Sequence, residues 1–285
     1  MYLVVGKQRT RYLVQVGQVD VIVQAAVDYI RDKTPIYVGD FVDLNLESLQ
    51  IIKIHERTNF LVRPPVANID QVLIVMSLVE PDFSLLLVEK FLAYANFARV
   101  KPVIILTKKD KITDEQTLNE VRLLLETLNI EFHFVSNFDM ADLAPVKTLI
   151  TGKKTALMGQ TGVGKSTLIN SLFPDFAREV GEYSQKLGRG RHTTKEIIML
   201  KTDLGYIVDT PGFSSFELPM IKNELAENYP GFAPYIGKCY FNDCLHLSEH
   251  KCAVKLAVKN KQLSENSYEN YAKISLEISD KREDY

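Results

Sequence analysis

The residues best suited to chemistry are Gly159-Gln160-Thr161-Gly162-Val163-Gly164-Lys165-Ser166, which fit the phosphate-loop pattern G-x-x-x-x-G-K-[ST]. Glycines there let successive backbone N–H groups turn inward around a polyphosphate, and the helix that follows adds partial positive charge. Lys165 is expected to reach the β- and γ-phosphates and Ser166 to ligate Mg²⁺, with Thr167 next in the loop. Asp209-Thr210-Pro211-Gly212 lies downstream at the end of an apolar run. Asp209 suits a carboxylate that holds Mg²⁺ through water, and the Gly212 N–H suits the γ-phosphate.

A triphosphate site needs a base reader. The fitting segment is Thr107-Lys108-Lys109-Asp110, after the apolar run 103–106. A buried carboxylate at Asp110 can accept both adjacent N–H groups of guanine's Watson–Crick edge, a pair that adenine lacks. Lys108 would lie along the base plane. Thr107 stands where the general GTPase pattern has asparagine, so one amide contact is missing from that position. Val135-Ser136-Asn137 forms a second base-side loop, with Ser136 as its contact residue. The motifs therefore run base, base, phosphate, switch, metal, which predicts a circularly permuted GTPase. Permutation is tolerable because the loops need only be neighbours in space and chain termini are often close together.

Position 213 is Phe, where Ras-like proteins carry the glutamine that orients the attacking water. His192, in Gly188-Arg189-Gly190-Arg191-His192-Thr193-Thr194, is the nearest replacement; a surface or RNA contact is its other reading. Thr193 or Thr194 offers the switch ligand to Mg²⁺. Farther on, Cys239-x₄-Cys244-x-His246-x₅-Cys252 gives three thiolates and one imidazole, the composition of a closed structural Zn²⁺ site. His250 could replace His246, and a few buried free cysteines are the alternative to metal.

The elements that must position these groups change texture along the chain. Residues 1 to about 65 read as short β-branched runs at 2–5, 11–16, 19–23 and 41–44, punctuated by Gly6, Gly17 and Gly39-Asp40. A small closed barrel, an OB-fold first and an SH3-like barrel or β-meander second, would solve their edge problem. Pro64-Pro65 reads as a linker. Strands at 71–77, 102–107, 131–135, 154–158, 196–202 and 206–209 then alternate with helices at 84–99 and 114–129, the pattern of an α/β sheet with ligands at its carboxyl ends. Thr113 with Gln116 suggests a capping box, and 203–205 a hairpin turn. Beyond about Ile221 the β pattern stops, leaving the cysteine cluster and helices near 253–259 and 268–279. The expected division is 1–65, 66–221 and 222–285.

The chain has 285 residues, 46% of them hydrophobic and 25% charged, as in ordinary globular proteins. A net charge of −2 offers no global attraction to nucleic acid, so polyanion contacts must be local. Three cysteines are too few for a disulfide scaffold. No apolar run of membrane-spanning length and no leader pattern is visible, so a cytoplasmic location is expected.

Together these residues resemble the RsgA (YjeQ/YloQ) family of circularly permuted ribosome-assembly GTPases. The resemblance covers essentially the whole chain. It rests on Arg57-x-Asn59-x-Leu61-Val62-Arg63-Pro64-Pro65, Asn68-x-Asp70-Gln71, the permuted motifs, Gly190–Thr194 and the Cys/Cys/His/Cys cluster. It implies an α/β P-loop core between an N-terminal OB-fold and a mainly helical C-terminal zinc domain. The implied activity is GTP hydrolysis in late maturation of the small (30S) ribosomal subunit, by a monomer that contacts 16S rRNA. It also implies that His192 matches the histidine proposed to replace the missing glutamine, and that Cys239, Cys244, His246 and Cys252 hold zinc. Two other functions fit the residues less well: an RNA-docking module whose nucleotide only stabilises a shape, and a metabolic kinase, for which no acceptor site is visible.

Overall fold

Short alternating strands at the N-terminus close on themselves. In the computed structural model, which describes residues 1–27, 29, 34–186, 197–208 and 216–278, five strands form a closed barrel in the order β1-β2-β3-β5-β4. They are β1 (Tyr2–Gln8), β2 (Arg11–Val16), β3 (Val19–Ala25), β4 (Phe41–Asn45) and β5 (Gln50–Ile54). Tyr2 opposite Val42 closes the cylinder, and β3 runs parallel to β5. Val4, Tyr12, Val14, Val23, Ile36, Val42 and Ile51 fill it. This is the OB-fold expected. Closure leaves no unpaired edge. β5 was not foreseen; its signal is Asn45, whose side-chain oxygen accepts from the N–H groups of Glu47 and Ser48 and turns β4 back into a partner.

The segment after the barrel is built by its polar residues. Arg57 donates to the fully buried Asp40 at 2.7 and 3.0 Å, with its guanidinium stacked over Tyr37 and Phe60. Asn59 and Ile69 exchange two bonds of 2.8 and 2.9 Å, and Asn68 donates to the Gly39 carbonyl at 2.9 Å. Gly39 has φ +91, and a Cβ there would lie 1.9 Å from the Ala67 oxygen. The prolines expected as a linker instead form a hairpin, β6 (Phe60–Val62) with β7 (Pro65–Ala67). Pro65 can sit in it because this two-stranded ribbon leaves its missing donor on an edge.

Six further strands form one sheet in the order β10-β9-β8-β11-β13-β12. β8 (Gln71–Ser77) is buried along its whole length, β9 is Lys101–Thr107, β10 Phe132–Phe134, β11 Lys154–Met158, β12 Met199–Lys201 and β13 Tyr206–Val208. β10 with β9 and β11 with β13 are parallel, while β12 is an antiparallel edge reached by the expected 203–205 turn. Gln71 fixes the start of β8 by donating to the Leu149 carbonyl at 2.7 Å and to Thr155 Oγ1 at 3.0 Å.

By contacts the chain forms two compact units. One holds residues 1–73, 137–158 and 164–212, with helices α3 (Met140–Ile150), α4 (Lys165–Leu172) and α5 (Phe176–Lys186). The other holds 74–136, 159–163 and 213–285, with α1 (Leu85–Phe97), α2 (Glu115–Glu126), α6 (Lys222–Asn228), α7 (Ala253–Lys259) and α8 (Glu265–Glu277). The cap of α2 is Asp114, whose carboxylate accepts from the Gln116 N–H at 3.0 Å; the expected box from Thr113 does not form. Inside the second unit α1 is a hub. Phe216 packs on Phe91 and Tyr94 at centroid distances of 4.7 and 5.3 Å, and Lys90 pairs with Glu277. The fully buried Glu89 accepts from Ser267 and Asn270 on α8.

Candidate nucleotide and metal sites

Strand β11 ends at Met158, and the phosphate loop begins at once. Gly159 has φ +152, and a Cβ there would meet the Val75 oxygen at 2.2 Å, so only glycine fits. The loop ends at Gly164, whose φ of 92 sets it as the N-cap of α4. Lys165 opens the helix nearly buried, while Ser166 and Thr167 are exposed beside it. Gln160 is half-buried, Thr161 and Gly162 are exposed, and Val163 is buried. The loop leads straight into the N-terminus of α4, and a helix N-terminus is where backbone donors and partial positive charge suit a phosphate.

Three consecutive carbonyls of this loop accept hydrogen bonds from side chains of the base-side segments. Lys108 Nζ donates to Gly162 at 2.9 Å, Thr107 Oγ1 to Val163, and Asn137 Nδ2 to Gly164 at 3.2 Å. Lys108 achieves its reach from a left-handed backbone, φ 61, that starts the 3₁₀ turn Lys109–Lys111. Its ammonium also donates to the Glu80 carbonyl, and the Glu80 carboxylate pairs with Lys111, which holds that carboxyl below its ordinary range. The Val135 carbonyl accepts from the Lys109 N–H, tying the end of the β10 strand to the 3₁₀ turn. Ser136 and Asn137 are buried. Asp110 differs from expectation: its carboxylate is exposed, because the 3₁₀ turn carries it outward from β9.

The residues expected to act as switch and magnesium ligands, His192, Thr193, Thr194, Asp209 and Gly212, together with Phe213, lie outside the described residues. Sequence reasoning passed over Asn137 as a side chain and Glu80 altogether. Nothing in the pattern around Glu80 would have pointed to it.

The second constellation is Cys239, Cys244, His246 and Cys252, whose ligand atoms all lie within 4.8 Å of one another. His246 Nδ1 stands 3.5 Å from Cys239 Sγ and 3.4 Å from Cys252 Sγ, and those two sulfurs are 3.9 Å apart. Tetrahedral zinc at ordinary bond lengths would require edges of about 3.8 Å between sulfurs and about 3.6 Å between sulfur and nitrogen. The set therefore fits that ion, with His246 and not His250 as the nitrogen donor. Burial pushes the Cys244 thiol up to about 12 and the His246 imidazole down. A bound dication would reverse the first pressure, since coordinated thiols ionise.

The ligand loop is held from outside. Glu249 accepts from the N–H groups of Leu245 and Leu247 at 2.8 Å each, Tyr268 donates to the His246 carbonyl, and Tyr271 to that of Leu245. Cys252 begins α7 as its N-cap, its sulfur accepting from Lys255 N.

With this geometry established, comparison with known proteins is decisive. A sequence model of the family described as RsgA GTPase matches residues 54–219. The chain belongs to the RsgA GTPase family. Among curated relatives, a protein from Streptococcus pneumoniae named small ribosomal subunit biogenesis GTPase RsgA is 41% identical over 254 residues, covering 87% of this chain and 84% of the relative. Its namesake from Bacillus subtilis is 38% identical over 259 residues, covering 88% and 87%. Two solved structures agree along the chain. YjeQ from Thermotoga maritima superposes with a TM-score of 0.81 at 31% identity, covering 99% of each chain. YloQ, described as a circularly permuted GTPase, gives 0.77 at 31%, covering 100% of this chain and 96% of its own. This RsgA-family chain thus has the permuted P-loop core that its motif order implied. No described helix is long and apolar enough to cross a membrane.

Proposed function

We propose that this chain hydrolyses GTP to GDP and phosphate during late maturation of the small (30S) ribosomal subunit. It docks on the subunit through rRNA in the GTP state and leaves on hydrolysis. The observation that carries this reading is the clamp of Lys108 and Thr107 on the phosphate-loop carbonyls of Gly162 and Val163, which joins base reading to phosphate binding. The names of the curated relatives supply the biological setting.

In this reading Asp110 selects guanine, Lys108 and Lys109 flank it, and Ser136 borders the base. Gly159–Thr167 and Gly212 bind the phosphates, with Lys165 neutralising charge as it develops. Ser166, Asp209 and either Thr193 or Thr194 hold Mg²⁺, and His192 stands in for the missing glutamine. The metal would supply Lewis-acid stabilisation of the phosphoryl oxygens. One zinc per chain, held by Cys239, Cys244, His246 and Cys252, keeps the C-terminal part folded. The division at 1–65, 66–221 and 222–285, a monomeric state and a cytoplasmic location complete the reading.

The test is GTP hydrolysis by the full chain, alone and with titrated small subunits. Stimulated multiple turnover is expected. GTP-dependent subunit binding without turnover would make the protein a passive docking module.

A further inference from the structure

Of the four residues in the Cys/His constellation, His246 has a left-handed backbone. Its φ of 61 lies in a region that residues other than glycine adopt mainly where their surroundings hold them there. Three successive N–H groups around it are committed to acceptors. Those of Leu245 and Leu247 donate to Oε1 and Oε2 of Glu249, at 2.8 Å each, and that of His246 between them donates to the Cys244 sulfur. The carbonyls of the same stretch are also taken. Lys255 Nζ donates to those of Leu247 and Glu249 at 3.0 and 3.2 Å, and the two tyrosines hold those of Leu245 and His246. All of these residues fall in the second compact unit. The half-buried Glu249 thus fixes the peptides on both sides of the histidine, and with them the approach of Nδ1 to the sulfurs of Cys239 and Cys252.

We propose that Glu249 is the positioning residue of the metal site. By bonding the peptides on either side of His246 it holds the imidazole and the Cys244-directed N–H where zinc needs them. It is not itself a ligand, since it lies outside the set of ligand atoms that meet within 4.8 Å. A coordinating histidine relies on outer partners that fix its orientation before the metal arrives, and losing one such partner typically costs about 10–100-fold in metal affinity. Lys255 closes the same loop through its carbonyls, so the ligand-bearing turn is clasped by one acidic and one basic side chain. The inference rests on the zinc reading above and deepens it.

The experiment titrates the full chain with zinc against a competing chelator, and with cobalt as a visible probe of the ligand set. Glu249→Ala should bind zinc about 10–100-fold more weakly than wild type. Its cobalt form should also lose the band pattern of a three-sulfur, one-nitrogen tetrahedron, as His246 gives way to water. Glu249→Gln keeps one acceptor oxygen and should fall between the two in zinc affinity, which decides the matter if the alanine variant does not fold. Ser248→Ala, at the exposed neighbouring position, should match wild type in both readouts. A glutamate that only stiffened the surface would lower the stability of the chain and leave the cobalt bands alone. Wild-type cobalt bands in Glu249→Ala would therefore overturn the inference, as would wild-type zinc affinity in Glu249→Gln or an equal loss in Ser248→Ala. Wild-type protein that takes up neither metal would instead sink the parent zinc reading.

Discussion

Asn270 Nδ2 lies 2.7 Å from Glu89 Oε2, in an interior that gives Glu89 no solvent exposure. With Ser267 as a second donor and Tyr229 close by, this carboxyl joins α1 to α8. Burial nonetheless outweighs its hydrogen bonds and raises its pKa above the ordinary carboxylate value. The unfolded chain then releases this proton at a lower pH than the folded one. The Glu89 contribution is fully present below the ordinary value near 4.5 and is lost as pH rises through the raised one.

Glu89→Gln keeps the shape and cannot ionise. Its stability relative to wild type should therefore improve between pH 4.5 and 8, as read from urea midpoints across that range. Parallel stability curves would show that Glu89 titrates as it does in the unfolded chain. Glu89→Ala should cost about 1–3 kcal/mol below pH 4.5, because it strands the Asn270 and Ser267 donors, and less as pH rises through the raised value.

Glycine 159 offers a test of the loop itself. Gly159→Ala would drive a methyl group to within 2.2 Å of the Val75 backbone oxygen, an approach that rotamer change cannot relieve. Nucleotide binding should fall by roughly two orders of magnitude, a cost of about 3 kcal/mol. Calorimetric titration with GTP checks this, and unchanged affinity would mean that the β8 strand yields more than a packed sheet centre should.

These two sites differ in how far the sequence revealed them. The phosphate loop was readable because glycine spacing and the flanking strand and helix are local consequences of the ligand. The barrel was readable as a class, since β-branched alternation at 2–5 and 11–16 needs closure. Strand β5 was not, because Gln50-Ile51-Ile52-Lys53-Ile54 becomes a strand only through its pairing with β4 and β3. Helix α3 was missed because Pro145 sits within it, a breaker by propensity that tertiary packing of Leu143, Val146 and Ile150 overrides. Glu89 was invisible: its partners lie on α8, far along the chain, and no periodicity marks a buried carboxyl.

Guanine specificity gives a sharper prediction. Asp110→Asn should weaken GTP binding by about two to four orders of magnitude, as two charge-assisted bonds worth about 1.5–3 kcal/mol each are lost. Binding of xanthosine triphosphate should improve, because xanthine offers an acceptor where guanine offers an amino donor. Titration of both nucleotides against the variant decides it. Unchanged GTP affinity would remove the exposed Asp110 from the site.

Zinc should be stoichiometric and structural. Elemental analysis should find one Zn²⁺ per chain, and chelation or Cys244→Ala should make α7 and α8 protease-sensitive. The metal-binding energy of such sites, about 10–16 kcal/mol in small zinc peptides, is also folding energy. Tyr268 and Tyr271 would then lose the His246 and Leu245 carbonyls, respectively, that they hold. A metal-free chain with a protease-resistant C-terminal part would rule the site out.

The last prediction concerns activation. Phe213 cannot orient a water, and the segment around His192 carries Lys186, Arg189, Arg191 and Lys195 against Glu196 alone. Such a charge balance favours contact with phosphates of rRNA. Turnover by the free protein should be slow, and subunit binding should raise it by bringing His192 to the γ-phosphate. Completing an unfinished phosphoryl-transfer site can contribute about 10³–10⁵ in rate, as an arginine finger does. His192→Ala should keep GTP-dependent subunit binding with nearly the same salt dependence, because a neutral histidine displaces few counterions. It should lose most of the stimulation. Hydrolysis measured with titrated small subunits, wild type against variant, separates the outcomes: full stimulation in the variant removes His192 from catalysis, and no stimulation of wild type returns the protein to a passive docking role.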